Sequence, residues 1–139
     1  MPSMQVYKSK YGRLSGTSYS EVYPKALSIY RQAQAHTKRQ PYLRSHYFSK
    51  DKIFLAYFWM HLRQKNFKDR ARRLRFFEAA LDVLRHTTFT PTTKQNPEDA
   101  NELFHRFYGI TRDDELFYIQ VKENNKTGRK DLISIFPPN

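Results

Sequence analysis

The sequence predicts an α+β fold in which N-terminal helices pack on a C-terminal antiparallel β-meander. Three observations carry that expectation. Apolar residues between 20 and 86 recur at helical spacing, those between 102 and 136 alternate with period two, and the segment "TTFTPTTKQNPEDAN" divides the two regimes. The chain of 139 residues has the length of one domain, so residues 17–139 read as a single α+β unit, helical over 17–86 and sheet-forming over 87–139.

Taken in order, residues 1–16 ("MPSMQVYKSKYGRLSG") carry Gly12, Gly16 and no apolar periodicity, and they read as a flexible basic tail. The stretch is too polar for a secretory leader. A helix is expected over 20–36, capped by Ser18 or Ser20, with Ala26, Leu27, Ile29, Tyr30 and Ala33 as its apolar stripe. Pro41 interrupts the pattern. Ser49 then opens "SKDKIFLAYFWMHLRQKN", where Ile53, Phe54, Tyr57, Phe58, His61 and Leu62 fit a second helix ending at Asn66. Its aromatics, and His61 among them, read as core. "FKDRARRLRFFEAALDVLRH" supplies a third helix whose inward face is Leu74, Phe77, Leu81 and Leu84. Three strands follow, over 102–108, 115–123 and 130–136, joined by turns at "TRDD" and "NNKTG".

Charge narrows the function. The 25 Lys and Arg exceed the 13 Asp and Glu by 12, yet residues 87–139 hold seven basic and eight acidic groups, so the positive excess lies ahead of the strands. Residues 61–75 set Arg63, Lys65, Lys68, Arg70, Arg72, Arg73 and Arg75 against Asp69 alone. Such a field attracts phosphate backbones or an acidic protein, though an arginine-rich helix can also be simply solvated. Cysteine is absent, which removes disulfides, thiolate zinc sites and cysteine nucleophiles. The five histidines have no metal-ligand spacing, no glycine-rich phosphate loop is present, and no cofactor is expected. No segment is apolar enough for a membrane partner, and a cytoplasmic protein is expected.

Alternation splits the strands into two faces. Phe117, Ile119, Val121, Ile133 and Ile135 form a core face; Tyr118, Gln120 and Lys122 stand opposite, with Lys130, Leu132, Ser134 and Phe136. In the first strand either His105 or Arg106 joins this mixed face. Metal-free RNA cleavage needs a proton acceptor for the 2′-hydroxyl, a donor for the leaving oxygen and cations for the phosphorane. His105 can transfer protons, Lys122 and Arg106 can hold phosphate, Gln120 and Ser134 can hydrogen-bond it, and Tyr118 can stack a base. A solvated sheet face with no ligand is the plainer alternative.

The runs "LFHRFYG" and "LFYIQVKENNKTGRKDLISIFP" resemble the terminal meander of the barnase, EndoU, colicin and RelE-like (BECR-fold) ribonuclease superfamily, notably its phage-associated and toxin-type members. The resemblance spans roughly residues 67–136. It implies a metal-independent ribonuclease toxin that cleaves by 2′-hydroxyl transesterification, with His105, Arg106, Gln120, Lys122 and Ser134 as catalytic positions. The RNA-binding set would be Arg63, Lys65, Arg70, Arg72, Arg73, Arg75, Tyr118 and Lys130, and the implied partners are RNA and an acidic antitoxin or inhibitor protein. A non-catalytic RNA- or DNA-binding module, or a basic interaction protein, is the competing expectation.

Overall fold

In the computed structural model, which describes residues 5–138, the first helix begins where the sequence offers a closure for its free N–H groups. Helix α1 spans Tyr19–Ala35, and the Glu21 carboxylate accepts from the N–H of Ser18 at 3.2 Å and its hydroxyl at 3.0 Å. Those bonds, with others from Thr17, hold the Glu21 carboxyl below its ordinary range. Val22, Ala26, Tyr30 and Ala33 form the buried stripe.

The expected second helix is instead a strand followed by a short helix. Strands β2 (Tyr42–Ser45) and β3 (Asp51–Phe54) form an antiparallel hairpin whose turn puts Ser49 at φ 57° and Lys50 at φ 73°. Helix α2 is confined to Ala56–His61 and runs into a 3₁₀ turn at Leu62–Gln64. The apolar run that begins at Ile53 is short, and such a run does not distinguish strand from helix by period. Asn66, expected to end a helix, starts one: its Oδ1 accepts from the Asp69 N–H at 2.8 Å. The expected third helix breaks into α3 (Phe67–Leu74) and α4 (Phe77–His86). At the break Phe76 turns onto Phe117, 5.2 Å between ring centroids, while Phe77 stacks on Phe58 at 5.8 Å. Two adjacent phenylalanines thus enter different parts of the core.

The segment expected as a loop contributes β4 (Thr92–Asn96), which pairs with the first half of β5 (Asp99–Ile110). Strands β6 (Leu116–Asn124) and β7 (Lys130–Phe136) complete the meander. Residues 5–16 are not a free tail: β1 (Tyr7–Lys8) lies parallel to Gly109–Ile110, and buried Asp82 accepts from the Ser9 hydroxyl at 2.8 Å and the Lys10 N–H at 3.1 Å. Residues 1–4, the rest of the expected tail, lie outside the described residues. The sheet has seven strands, ordered β1-β5-β6-β7-β3-β2 with β4 also on β5. It is mixed, because β1 lies parallel to β5 and β3 to β7. No described helix is long and apolar enough to cross a membrane.

One sheet face carries the core. Phe107, Phe117, Ile119, Val121, Leu132 and Ile135 are buried there with almost the whole of α4. The expected pairing of Ile133 with Ile135 fails because β7 bulges: Gln120 opposes Ser134 but Val121 opposes Leu132. The extra residue is Ile133, which is only half-buried, and Leu132, expected on the mixed face, turns inward.

Helix α4 approaches the sheet closely at Gly109, where an added Cβ would lie 2.7 Å from Phe117 Cζ and 2.9 Å from Val83 Cγ2. Gly109→Ala is expected to destabilise the fold by about 1–3 kcal/mol through overpacking. Urea unfolding would register this as a lower midpoint with unchanged slope; an unchanged midpoint would mean that α4 yields without cost.

Candidate functional site

The two faces of the meander do different things. On the core face a chain of polar groups crosses five adjacent strands. Thr93 on β4 meets His105 Nδ1 on β5 at 2.8 Å, and His105 Nε2 lies 2.7 Å from Glu123 Oε1 on β6. Lys130 Nζ on β7 is 3.6 Å from the other Glu123 oxygen and 2.9 Å from Asp51 Oδ2 on β3. A carboxylate only accepts, so Nε2 of His105 carries the proton of that bond, and Nδ1 shares a second hydrogen bond with the Thr93 hydroxyl. Phe48, from the β2–β3 turn, closes over this chain, with its ring 5.1 Å from the His105 ring and 4.9 Å from the Lys130 ammonium.

Register arranges the opposite face in three rungs. Tyr108, Tyr118 and Phe136 form an aromatic rung. Thr92, Arg106, Gln120 and Ser134 form a polar rung. Lys94, Phe104, Lys122 and Asp131 form the third. The Arg106 guanidinium lies 5.3 Å from the Phe136 centroid and 5.8 Å from that of Tyr118, a cation–π arrangement that holds its donors over the face. Lys122 sits 5.1 Å over the Tyr57 ring and 3.5 Å from Glu102.

Helices α2 and α3 straddle the β7 edge at the end of these rungs. Arg73 reaches across it, donating to Ser134 Oγ at 3.1 Å and to the Ile135 carbonyl at 3.2 Å. Asp69 holds the same guanidinium at 3.0 Å. Burial alone would raise the Asp69 carboxyl, but the hydrogen bonds and charges of Arg73 and Arg72 prevail and hold it below its ordinary range. Between helices and strand lies a cleft of about 240 Å³ lined by Tyr57, His61, Lys65, Arg73, Ile133 and Ser134, among others. His61 stacks on Tyr57 with centroids 3.9 Å apart, and its Nδ1 lies 2.8 Å from the Tyr57 carbonyl. A carbonyl only accepts, so Nδ1 carries a proton, which leaves Nε2 as the nitrogen at which the ring can exchange one.

Of the positions expected to act together, Arg106, Gln120, Lys122 and Ser134 share the open face, and Tyr118 stands beside them. His105 does not. It is 6% exposed, on the core face, with both ring nitrogens engaged inside the protein. Alternation permits Arg106 or His105 on the open face, and the burial of Val121 directly opposite His105 decides for Arg106. Lys130, expected to meet RNA, is 4% exposed and committed to Asp51 and the Gly128 carbonyl. The bulge shifts the alternation of β7 between Lys130 and Ser134, which turns Lys130 inward.

The helical cations divide as well. Arg63, Lys65 and Arg72 are exposed. Arg70 donates to the carbonyls of Lys65 and Arg63, and Arg75 donates to the Leu14 carbonyl at 3.0 Å, so both also brace the chain. His61 escapes sequence reading as a site residue because an aromatic-rich helical run reads as core. A histidine in the last turn, four residues after Tyr57 and just ahead of Arg63 and Lys65, is the available signal.

Removing Glu123 takes the Nε2 acceptor from a buried imidazole and the more buried of two carboxylates from a buried ammonium, whereas Asp51 holds Lys130 from a largely exposed position. Glu123→Ala is expected to cost about 3–5 kcal/mol, and Asp51→Asn about 0–1 kcal/mol, both read by denaturant unfolding. Equal costs would mean that Lys130 depends on Asp51 as much as on Glu123.

No protein-family model, no curated protein and no solved structure matches this chain.

Proposed function

We propose that the open sheet face binds single-stranded RNA and that its His61 corner cleaves it without a metal, by transesterification to a 2′,3′-cyclic phosphate. The observation that carries this reading is the convergence of Arg73, Ser134, Gln120, Arg106 and Lys122 on one face of the meander beside His61, whose Nδ1 is bonded to the Tyr57 carbonyl. Binding a phosphate requires donors, and these groups supply them without burying a charge. The aromatic rung supplies stacking surfaces for bases. The chain's net charge of +12 draws the polyanion toward the face.

In the proposed step, Nε2 of His61 takes the 2′-hydroxyl proton as that oxygen attacks phosphorus. The bond from phosphorus to the 5′-oxygen breaks, and the leaving oxygen takes a proton from water. Arg73 and Lys122 neutralise the charge that accumulates on the phosphorane oxygens. His105 has a structural task here, tying β4, β5 and β6 together. An acidic inhibitor protein would compete for the same cations.

A second reading, a non-catalytic RNA-binding module, draws on the fact that the one histidine of the described strands faces the core, so that this face can bind without performing chemistry.

The deciding experiment is cleavage of a fluorogenic RNA in EDTA by folded wild type and variants. His61→Ala is expected to lose about 10²–10⁴-fold in turnover, Lys122→Ala to lose turnover with some binding, and His105→Asn to keep cleaving where it remains folded. Tight binding without cleavage by wild type would establish the module instead. Full activity in His61→Ala would move the proton transfer elsewhere.

Binding itself has a separate readout. Replacing exposed Arg63 and Lys65 with Gln should flatten the plot of log affinity against log salt by about 0.7 for each phosphate that is no longer neutralised. An unchanged slope would make these two a solvated surface.

A further inference from the structure

At the end of the open face away from His61, β4, β5 and β6 enclose a recess of about 220 Å³ lined by Thr92, Lys94, Phe104, Arg106, Tyr108 and Gln120. This is below the roughly 300–1,000 Å³ of pockets that take drug-sized ligands, a size suited to one planar base. Phe104 and Tyr108, on either side of Arg106 along β5, offer apolar ring surface. Arg106 and Lys94 are donors only, and no described carboxylate lies within ion-pairing distance of either. The Gln120 amide both donates and accepts, and the Thr92 hydroxyl is already shared with the Tyr108 hydroxyl at 2.8 Å. The lining therefore carries two cations and no anion, and its acceptors are the neutral oxygens of Gln120, Thr92 and Tyr108.

We infer that this recess is a base subsite selecting keto-bearing bases, uracil or guanine, over the amino-bearing cytosine or adenine. A keto oxygen accepts from Arg106 or Lys94. An exocyclic amino group in the same place would point its hydrogens at two cations and leave donors unpaired on both sides. The inference rests on the open face being the RNA surface. It adds which part of the RNA is read, and where.

The test measures binding of the intact protein to uncleavable 2′-O-methyl RNA hexamers by fluorescence anisotropy, in two pairs that differ at the keto or amino position: oligo-U against oligo-C, and oligo-inosine against oligo-A. The keto member of each pair should bind about tenfold tighter, within the range for one well-made hydrogen-bond pair to a base. Lys94→Glu, at an exposed strand position that the fold tolerates, brings an acceptor into the recess; it should shrink or reverse both ratios, and because ratios are compared, the loss of general attraction cancels. Phe104→Leu, which keeps bulk but removes the ring, should weaken all four oligomers by a similar factor. Equal affinities within both pairs would overturn the inference while leaving RNA binding intact. Ratios unmoved by Lys94→Glu would put the selection elsewhere and overturn it too. Failure to bind any oligomer would remove both the subsite and the proposed function.

Discussion

The buried ammonium of Lys130 is the constraint around which the sheet is arranged. A cation withdrawn from water must be met by opposite charge and hydrogen-bond acceptors, and Lys130 finds Glu123, Asp51 and the Gly128 carbonyl on β6, β3 and its own turn. Glu123 in turn accepts from His105, which binds Thr93. One residue from each of five neighbouring strands is thereby tied into a single chain, and a slip of one residue in any pairing would leave a charge buried without its partner. The parallel junction of β3 with β7, two strands far apart in the sequence, sits at Lys130 itself.

Burying that chain also determines what the other face displays. Side chains alternate, so inward His105, Glu123 and Lys130 force Arg106, Lys122 and Asp131 outward. The bulge at Ile133 then resets β7, which lets Ile135 join the core along with Leu132 and brings Ser134 level with Gln120 and Arg106. The polar rung is thus the consequence of an apolar requirement on the far side of the same strands.

The basic helices serve the architecture and the proposed site together. Arg73 is held by Asp69 while it bridges to Ser134, so one guanidinium docks α3 on the β7 edge and lines the cleft beside His61. Arg75 likewise fastens the N-terminal segment through the Leu14 carbonyl, and the Leu14 N–H returns a bond to the Arg75 carbonyl at 2.8 Å. Such cations are pre-positioned by their structural bonds, which lowers the entropy lost when they meet a ligand.

By itself the sequence determined the α+β class, the first helix with its cap, the three long meander strands and the inward set Phe117, Ile119, Val121 and Ile135, because each is written in a local period or a local cap. It also limited Arg106 and His105 to opposite faces. Only the tertiary structure decided which went where, since that choice depends on Glu123 and Lys130, 18 and 25 positions further along the chain. The strands β1, β3 and β4 were equally beyond local reading: each is short, and each exists because an edge of β5 or β7 offers hydrogen bonds to it. His61 followed the same rule. Its helix resembles core in one dimension, and only the folding of α2 and α3 over the β7 edge brought it next to Arg73 and Ser134. Periodicity reports which side of an element avoids water, whereas a site is a meeting of elements, and that meeting is settled by long-range pairing and the burial of charge.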